Sequence, residues 1–264
     1  METQPKSVLQ EVIESRNGVD ASLYESYVLD ELAVERLKRK IAGELKRGGN
    51  SNLHRGALHH ELAYLLGLQG RVGVSGELAK AQNYGIQAFA IGLSTSHIAI
   101  MNGHVSEARE TVERLSKVDD LPEAARKLLF AHFGQVGMLE AMVANAKGGR
   151  EVRYEHVAAG ILMRMGIEDI ELTKRLDTAC RVIRANIKHP ILGRKLFASD
   201  GEGMLFRYVV KAPVDDLLRI NDQVLDALMD EHDGPLDEVL SIMVTPWSYD
   251  KSFVREEAYN VQLD

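Results

Sequence analysis

Four glycines, Gly70, Gly103, Gly134 and Gly166, recur at intervals of 33, 31 and 32 residues. Each closes an apolar run of helical period, and another such run begins a few residues later. Glycine reaches left-handed backbone geometry without a Cβ clash, so it is the natural residue for ending one helix and reversing the chain. Recurrence at this length is the mark of stacked helical hairpins, each too small to bury its apolar side alone. The series therefore predicts a mainly α chain of stacked antiparallel hairpins, a scaffold that usually binds another macromolecule.

The runs between the glycines carry the same message. Residues 6–49 read as helix, with Val34, Leu37, Ile41 and Leu45 stepping by 3, 4 and 4 along one stripe. Gly48-Gly49 stops it, and Asn50 and Ser51 are candidate caps for the next helix. Ala57, Leu58, Leu62, Leu65 and Leu66 form the following stripe, and a further helix spans about 75–89 with a break near Gly92–Ser96. Val105, Ala108, Val112 and Leu115 make a narrow amphipathic stripe. Asp120-Leu121-Pro122-Glu123 has the spelling of a helix start: a capping aspartate, proline in the first turn and glutamate three positions on. Gly134 and Gly137 mark the next turn, and a long helix runs through Leu172, Leu176, Ala179, Cys180 and Ile183 to His189-Pro190.

Beyond Pro190 the texture changes. Residues 204–210 (MLFRYVV) and 239–244 (VLSIMV) read as strands. Between them Leu217, Ile220, Val224 and Leu228 share one helical face, giving a strand–helix–strand unit. Two strands make a marginal sheet, so a third is expected from the tail (259–263), a second copy or a partner. The division is therefore a hairpin-repeat domain over 1–190 and a small acidic α/β unit with its tail over 191–264. Charge agrees with it. Residues 212–264 hold thirteen acids and three bases, although the whole chain carries only −7.

Around the second glycine the chain spells Asn102-Gly103-His104-Val105-Ser106-Glu107-Ala108, and Glu140-Ala141 repeats the ending. This resembles the inter-helix turn of tetratricopeptide-type repeats over roughly residues 55–188. The resemblance implies a right-handed α-solenoid that grips peptides or protein segments on its concave face.

Chemistry is sparse. One cysteine, Cys180, excludes an intrachain disulfide, and it falls on an apolar stripe where a thiol is inert. His54, His59 and His60 beside Glu61 lack zinc-hydrolase spacing, Asp200-Gly201-Glu202-Gly203 lacks a calcium-loop ligand series, and no phosphate-binding glycine motif occurs. No metal and no cofactor is expected. The pairs Arg55–His60, Arg126–His132 and Arg184–His189 resemble the active motif of all-helical HEPN-class ribonucleases, in which histidine would act as acid or base and arginine would stabilise the phosphorane. Gly56, Lys127 and Ala185 follow these arginines where that motif has a polar residue.

Two binding surfaces stand out. Lys174, Arg181, Arg184 and Lys188 fall within about 80° on one helix, with Arg194 and Lys195 beyond, and suit an anionic partner, whether nucleic acid, an acidic protein segment or the chain's own acidic unit. Trp247 and Tyr249 are candidate aromatic anchors. Residues 85–101, the most apolar stretch, carry Gln87, Ser94, Thr95, Ser96 and His97, so no membrane association is expected. The polar start points to a cytoplasmic location. The sequence reading is thus a non-enzymatic adaptor or regulator with a protein partner, its alternatives a nucleic-acid-associated regulator and a ribonuclease-like enzyme. Homodimerisation through the small sheet is a further expectation.

Overall fold

The computed structural model describes residues 7–47, 50–146 and 153–248. They form eleven α-helices and one three-stranded sheet near the C-terminal end. Two compact units divide them: the first takes the residues up to Ser94 together with Ser248, and the second runs from Thr95 to Trp247. Residue 190 therefore marks a change of secondary structure inside the second unit, not a gap between units. The tail segment 259–263, Tyr249 and the pairs Gly48-Gly49 and Gly148-Gly149 lie outside the described residues.

The first unit holds α1 (Val8–Ser26), α2 (Glu31–Lys46), α3 (Asn52–Leu68), α4 (Val74–Asn83) and the start of α5 (Ala88–Met101). The expected single helix over 6–49 is two. Tyr27 takes left-handed geometry (φ 52°) with its N–H on the Leu23 carbonyl (2.7 Å), and Asp30 caps α2 by accepting from the Ala33 N–H at 2.9 Å. Ser51 caps α3 as expected, accepting from the His54 N–H at 3.2 Å. Val12, Leu23, Val34, Ile41, Leu58 and Leu65 are fully enclosed in the core. Inside that core lies an ionic cluster: Arg16, Asp20 and Glu61 are 0, 1 and 2% exposed. The Arg16 guanidinium donates to Glu61 (3.1 Å) and Asp20 (3.2 Å), and the Tyr64 hydroxyl donates to Asp20 at 3.1 Å. Burial pushes the Asp20 carboxyl up to about 6 against the pull of Arg16.

The second unit continues α5 and adds α6 (Val105–Leu115), α7 (Glu123–Gln135), α8 (Leu139–Asn145), α9 (Arg153–Met165) and α10 (Asp169–Asn186). The break expected at Gly92–Ser96 is absent, since α5 runs through it; the reversal lies earlier, at Gly85 (φ 103°). Asp120 does not cap α7: Pro122 holds that position, and no side chain bonds there. Of the glycine series, Gly70, Gly103 and Gly166 turn the chain with positive φ, whereas Gly134 lies within α7 and Gly137 (φ 79°) makes the reversal. Gly103 has a second duty. A Cβ there would sit 2.6 Å from the Cys180 carbonyl oxygen, so the α5–α6 turn presses directly on α10. Arg109 of α6 also bonds Thr173 (2.7 Å) and Asp169 (2.6 Å) of α10. α6 thus packs on a helix some seventy residues further along the chain, and α10 is the pillar of this unit.

The strands are β1 (Arg194–Ser199), β2 (Gly203–Val210) and β3 (Leu240–Pro246), with α11 (Val214–Glu231) between the last two. β1 pairs β2 antiparallel through the Asp200–Glu202 turn, and β2 pairs β3 parallel, in the order β1-β2-β3. The expected strand–helix–strand unit is present. Its third strand is β1, from the residues just before it. Leu196, Ala198, Met204, Phe206, Tyr208, Ile242 and Val244 alternate onto one buried face, as period-two patterning requires. The Trp247 N–H reaches the Val210 carbonyl, so alternate residues of β3 aim their backbone groups away from β2. At Val244 those groups are met by Asn221 of α11, whose Oδ1 accepts from the Val244 N–H at 2.7 Å. Two residues on, Pro246 has no N–H to offer.

Candidate partner-binding surface

The basic stripe of α10 is mostly engaged within its own unit. Lys174 pairs with Glu171 at 2.6 Å. Arg181 pairs with Glu231, the last residue of α11, at 2.6 Å and with Asp177 at 3.5 Å. Arg184 is half-buried, donates to the Ile187 carbonyl at 3.1 Å, and has its pKa lowered by burial. Lys188 is exposed but lies past the helix end at Asn186, so it does not extend the stripe along α10. Arg194 and Lys195 stand on β1, with the Arg194 guanidinium 5.2 Å from the centre of the Phe206 ring.

The most deeply engaged cation of α10 is one that the stripe omits. Arg175, 3% exposed, holds the Asp237 carboxylate with two bonds (2.5 and 3.1 Å) and also donates to Glu171. Asp237 sits in the 3-10 turn Pro235–Glu238. Thr178 donates to Glu231 at 2.8 Å and faces the His232 ring at 2.9 Å, and Arg219 of α11 reaches the Asn186 side chain at 2.7 Å. Pairing holds the carboxyls of Glu171, Asp237 and Glu231 below their usual range, the hydrogen bonds from Lys174, Arg175 and Thr178 respectively being the main cause. Arg181 and Arg175 of α10 therefore hold Glu231 and Asp237, at the two ends of the short stretch that follows α11. Of the three destinations the sequence offered for the stripe, the chain's own acidic unit is where Arg181 is seen to go.

The histidines of the three Arg–His pairs are buried. His60 faces the Ser94 hydroxyl at 2.7 Å, His132 faces Ser96 at 2.9 Å, and His189 lies between the Pro190 carbonyl (2.7 Å) and the Lys211 N–H (3.2 Å). Burial lowers the pKa of His60 to about 4 and of His132 to about 3, so both rings are neutral near pH 7. A general acid or base must touch its substrate, and enclosed rings bonded to their own core offer no such access. Cys180 is buried, and its thiol is pushed up to about 12. Among the described residues no group of three His, Cys, Asp or Glu could hold a metal ion.

Trp247 is half-buried beneath Lys211, whose Nζ stands 4.5 Å from the ring centre. A larger exposed surface is one the sequence reading missed. α11 buries Leu217, Ile220 and Val224 and half-buries Leu228, the stripe expected from the sequence. It also turns a second apolar stripe outward: Val214, Leu218, Leu225 and Met229 are 69, 59, 57 and 71% exposed. At 100° per residue these four fall within about 60° of one another. Their spacing of 4, 7 and 4 was readable, but a helix with one strong apolar face draws attention from a second. Isolated exposed apolar side chains are ordinary; four aligned along one helix are the pattern of a docking face.

No protein-family model matches the chain, and neither a curated protein nor a solved structure matches it. Among the described residues no helix is long and apolar enough to cross a membrane.

Proposed function

We propose that the chain is a non-enzymatic adaptor or regulator that binds a protein partner, with the outward face of α11 as the contact surface and the helical hairpins as its scaffold. One observation carries this reading: four large apolar side chains, each more than half exposed, aligned on one face of a helix whose other face is already packed. Exposing them costs solubility and returns nothing to the fold, which makes an external contact their natural use. The nucleic-acid alternative has weaker support, since Lys174, Arg181 and Arg184 of the basic stripe already have partners within the unit.

The test is site-specific photocrosslinking in the native cell from residue 218 or 225, read by mass spectrometry, with the exposed residue 117, in the turn just past α6, as a control position. A protein crosslinked from the two α11 positions and not from the control supports the reading. Crosslinks to nucleic acid alone, or none above the control, refute it.

A further inference from the structure

The outward stripe of α11 does not stand alone. Asp222, Asp215, Asp226 and Asp230 follow it around the helix, from about 40° to about 120° away from Leu218. All four are exposed, and none has an ion-pair partner among the described residues. The single base of α11, Arg219, is taken by Asp216 (3.0 Å) and by Asn186. α11 therefore presents a strip of apolar side chains with a wall of unneutralised carboxylates along one side.

Resting on the protein-binding reading above, we infer that this face receives a basic amphipathic helix, about four turns long, whose apolar stripe covers Leu218 and Leu225 while its Lys or Arg residues meet the aspartate wall. The length follows from the fifteen residue steps from Val214 to Met229 at about 1.5 Å each. Charge selects the occupant. A second copy in an antiparallel two-fold pair sets aspartate wall against aspartate wall; in a parallel pair each wall faces the other flank of α11, where Leu217, Asn221 and Leu228 carry no charge. The C-terminal segment 249–264 carries Lys251 and Arg255 against Asp250, Glu256, Glu257 and Asp264, so it too is net acidic. An anionic lipid surface is repelled by the same wall. A basic helix satisfies both the apolar strip and the charge.

Binding to the full chain is measured with two synthetic 18-residue helical peptides sharing one leucine stripe, flanked by lysine in one and by glutamate in the other. The lysine peptide should bind, and the glutamate peptide should bind at least about tenfold more weakly. The double variant Leu218→Glu/Leu225→Glu should weaken the lysine peptide by about tenfold or more, and Asp222→Lys/Asp226→Lys should do the same while raising affinity for the glutamate peptide. All four positions are exposed, so circular dichroism should show each variant folded. Equal binding of the two peptides, or lysine-peptide binding indifferent to Leu218→Glu/Leu225→Glu, overturns the inference. So does a full-chain dimer in sedimentation that this variant dissociates, or a crosslink from residue 218 back to 249–264. In the native cell, a crosslinked partner whose captured segment is not a basic helix overturns the inference and leaves the protein-binding reading standing; absence of any protein crosslink overturns that reading itself.

Discussion

The two units handle ionic groups in opposite ways. In the first, Arg16, Asp20 and Glu61 are sealed in the core, where solvent contributes almost nothing and each charge depends on its neighbours. In the second, α10 extends its arginines to carboxylates that keep one side in water: Asp237 and Glu231 are 40 and 44% exposed at their side chains. The same pairing chemistry therefore has different consequences. Burial dominates at Asp20 and raises its pKa; pairing dominates at Asp237 and lowers it. The enclosed cluster fixes how α1 and α3 meet. The rim pairs tie a C-terminal segment to α10 and leave the far side of α11 uncommitted.

That contrast can be broken most sharply at Arg16. Arg16→Ala leaves two buried carboxylates facing each other and should destabilise the chain by about 3–5 kcal/mol in urea unfolding; a loss below about 1 kcal/mol would mean that water has entered the cluster. Arg175→Ala comes next. It removes a charged, two-bond contact whose partner is partly solvated, and about 1–3 kcal/mol should disappear, most visibly as faster hydrogen exchange over residues 232–239.

The pH dependence should have opposite signs in the two places. Asp20 titrates at about 6 in the folded chain against an ordinary value of 3.8, so the folded form retains a proton that the unfolded form has lost. Stability from this group therefore falls as pH rises from about 4 to about 6, and Asp20→Asn should flatten that decline. Glu171, Asp237 and Glu231 are held below their ordinary values. Their contribution is complete above the ordinary carboxylate range and is lost as pH falls through the depressed values; Arg175→Ala should blunt this acid limb in a stability–pH series. Smaller still, Arg181→Ala removes an exposed pair and should change stability by about 0.2–1 kcal/mol. Leu218→Glu should leave stability within about 0.5 kcal/mol of the parent; a larger loss would show that the outward stripe belongs to the fold.

The helices were legible because an apolar period of 3.6 is local: the residues that declare a helix are the ones that bury it. β2, β3 and the inner face of α11 were legible for the same reason. What escaped depends on distant partners. Tyr27 ends α1 with neither glycine nor proline, and only the Asp30 cap, three residues before Ala33, hints at the restart. β1 opens with Arg194 and Lys195 and becomes a strand through its pairing with β2. The angular stripe on α10 was countable, but Arg175 and Asp237 are 62 residues apart, and no periodicity connects them. The second face of α11 was visible as spacing yet unreadable as exposure, since leucines on either side of a helix look alike until one side is packed.

Asn221 has a consequence for recognition. A helix lying on a sheet can roll about its long axis, because apolar packing is tolerant of angle. The Asn221 amide bonds to Val244 remove that freedom by tying one azimuth of α11 to one residue of β3. The adjoining face, with Leu218 three residues before Asn221 and Leu225 four after it, then moves with the sheet as a single body. A partner meets a face already set at its final angle, and the entropy that a rolling helix would surrender on contact has been given up beforehand, during folding.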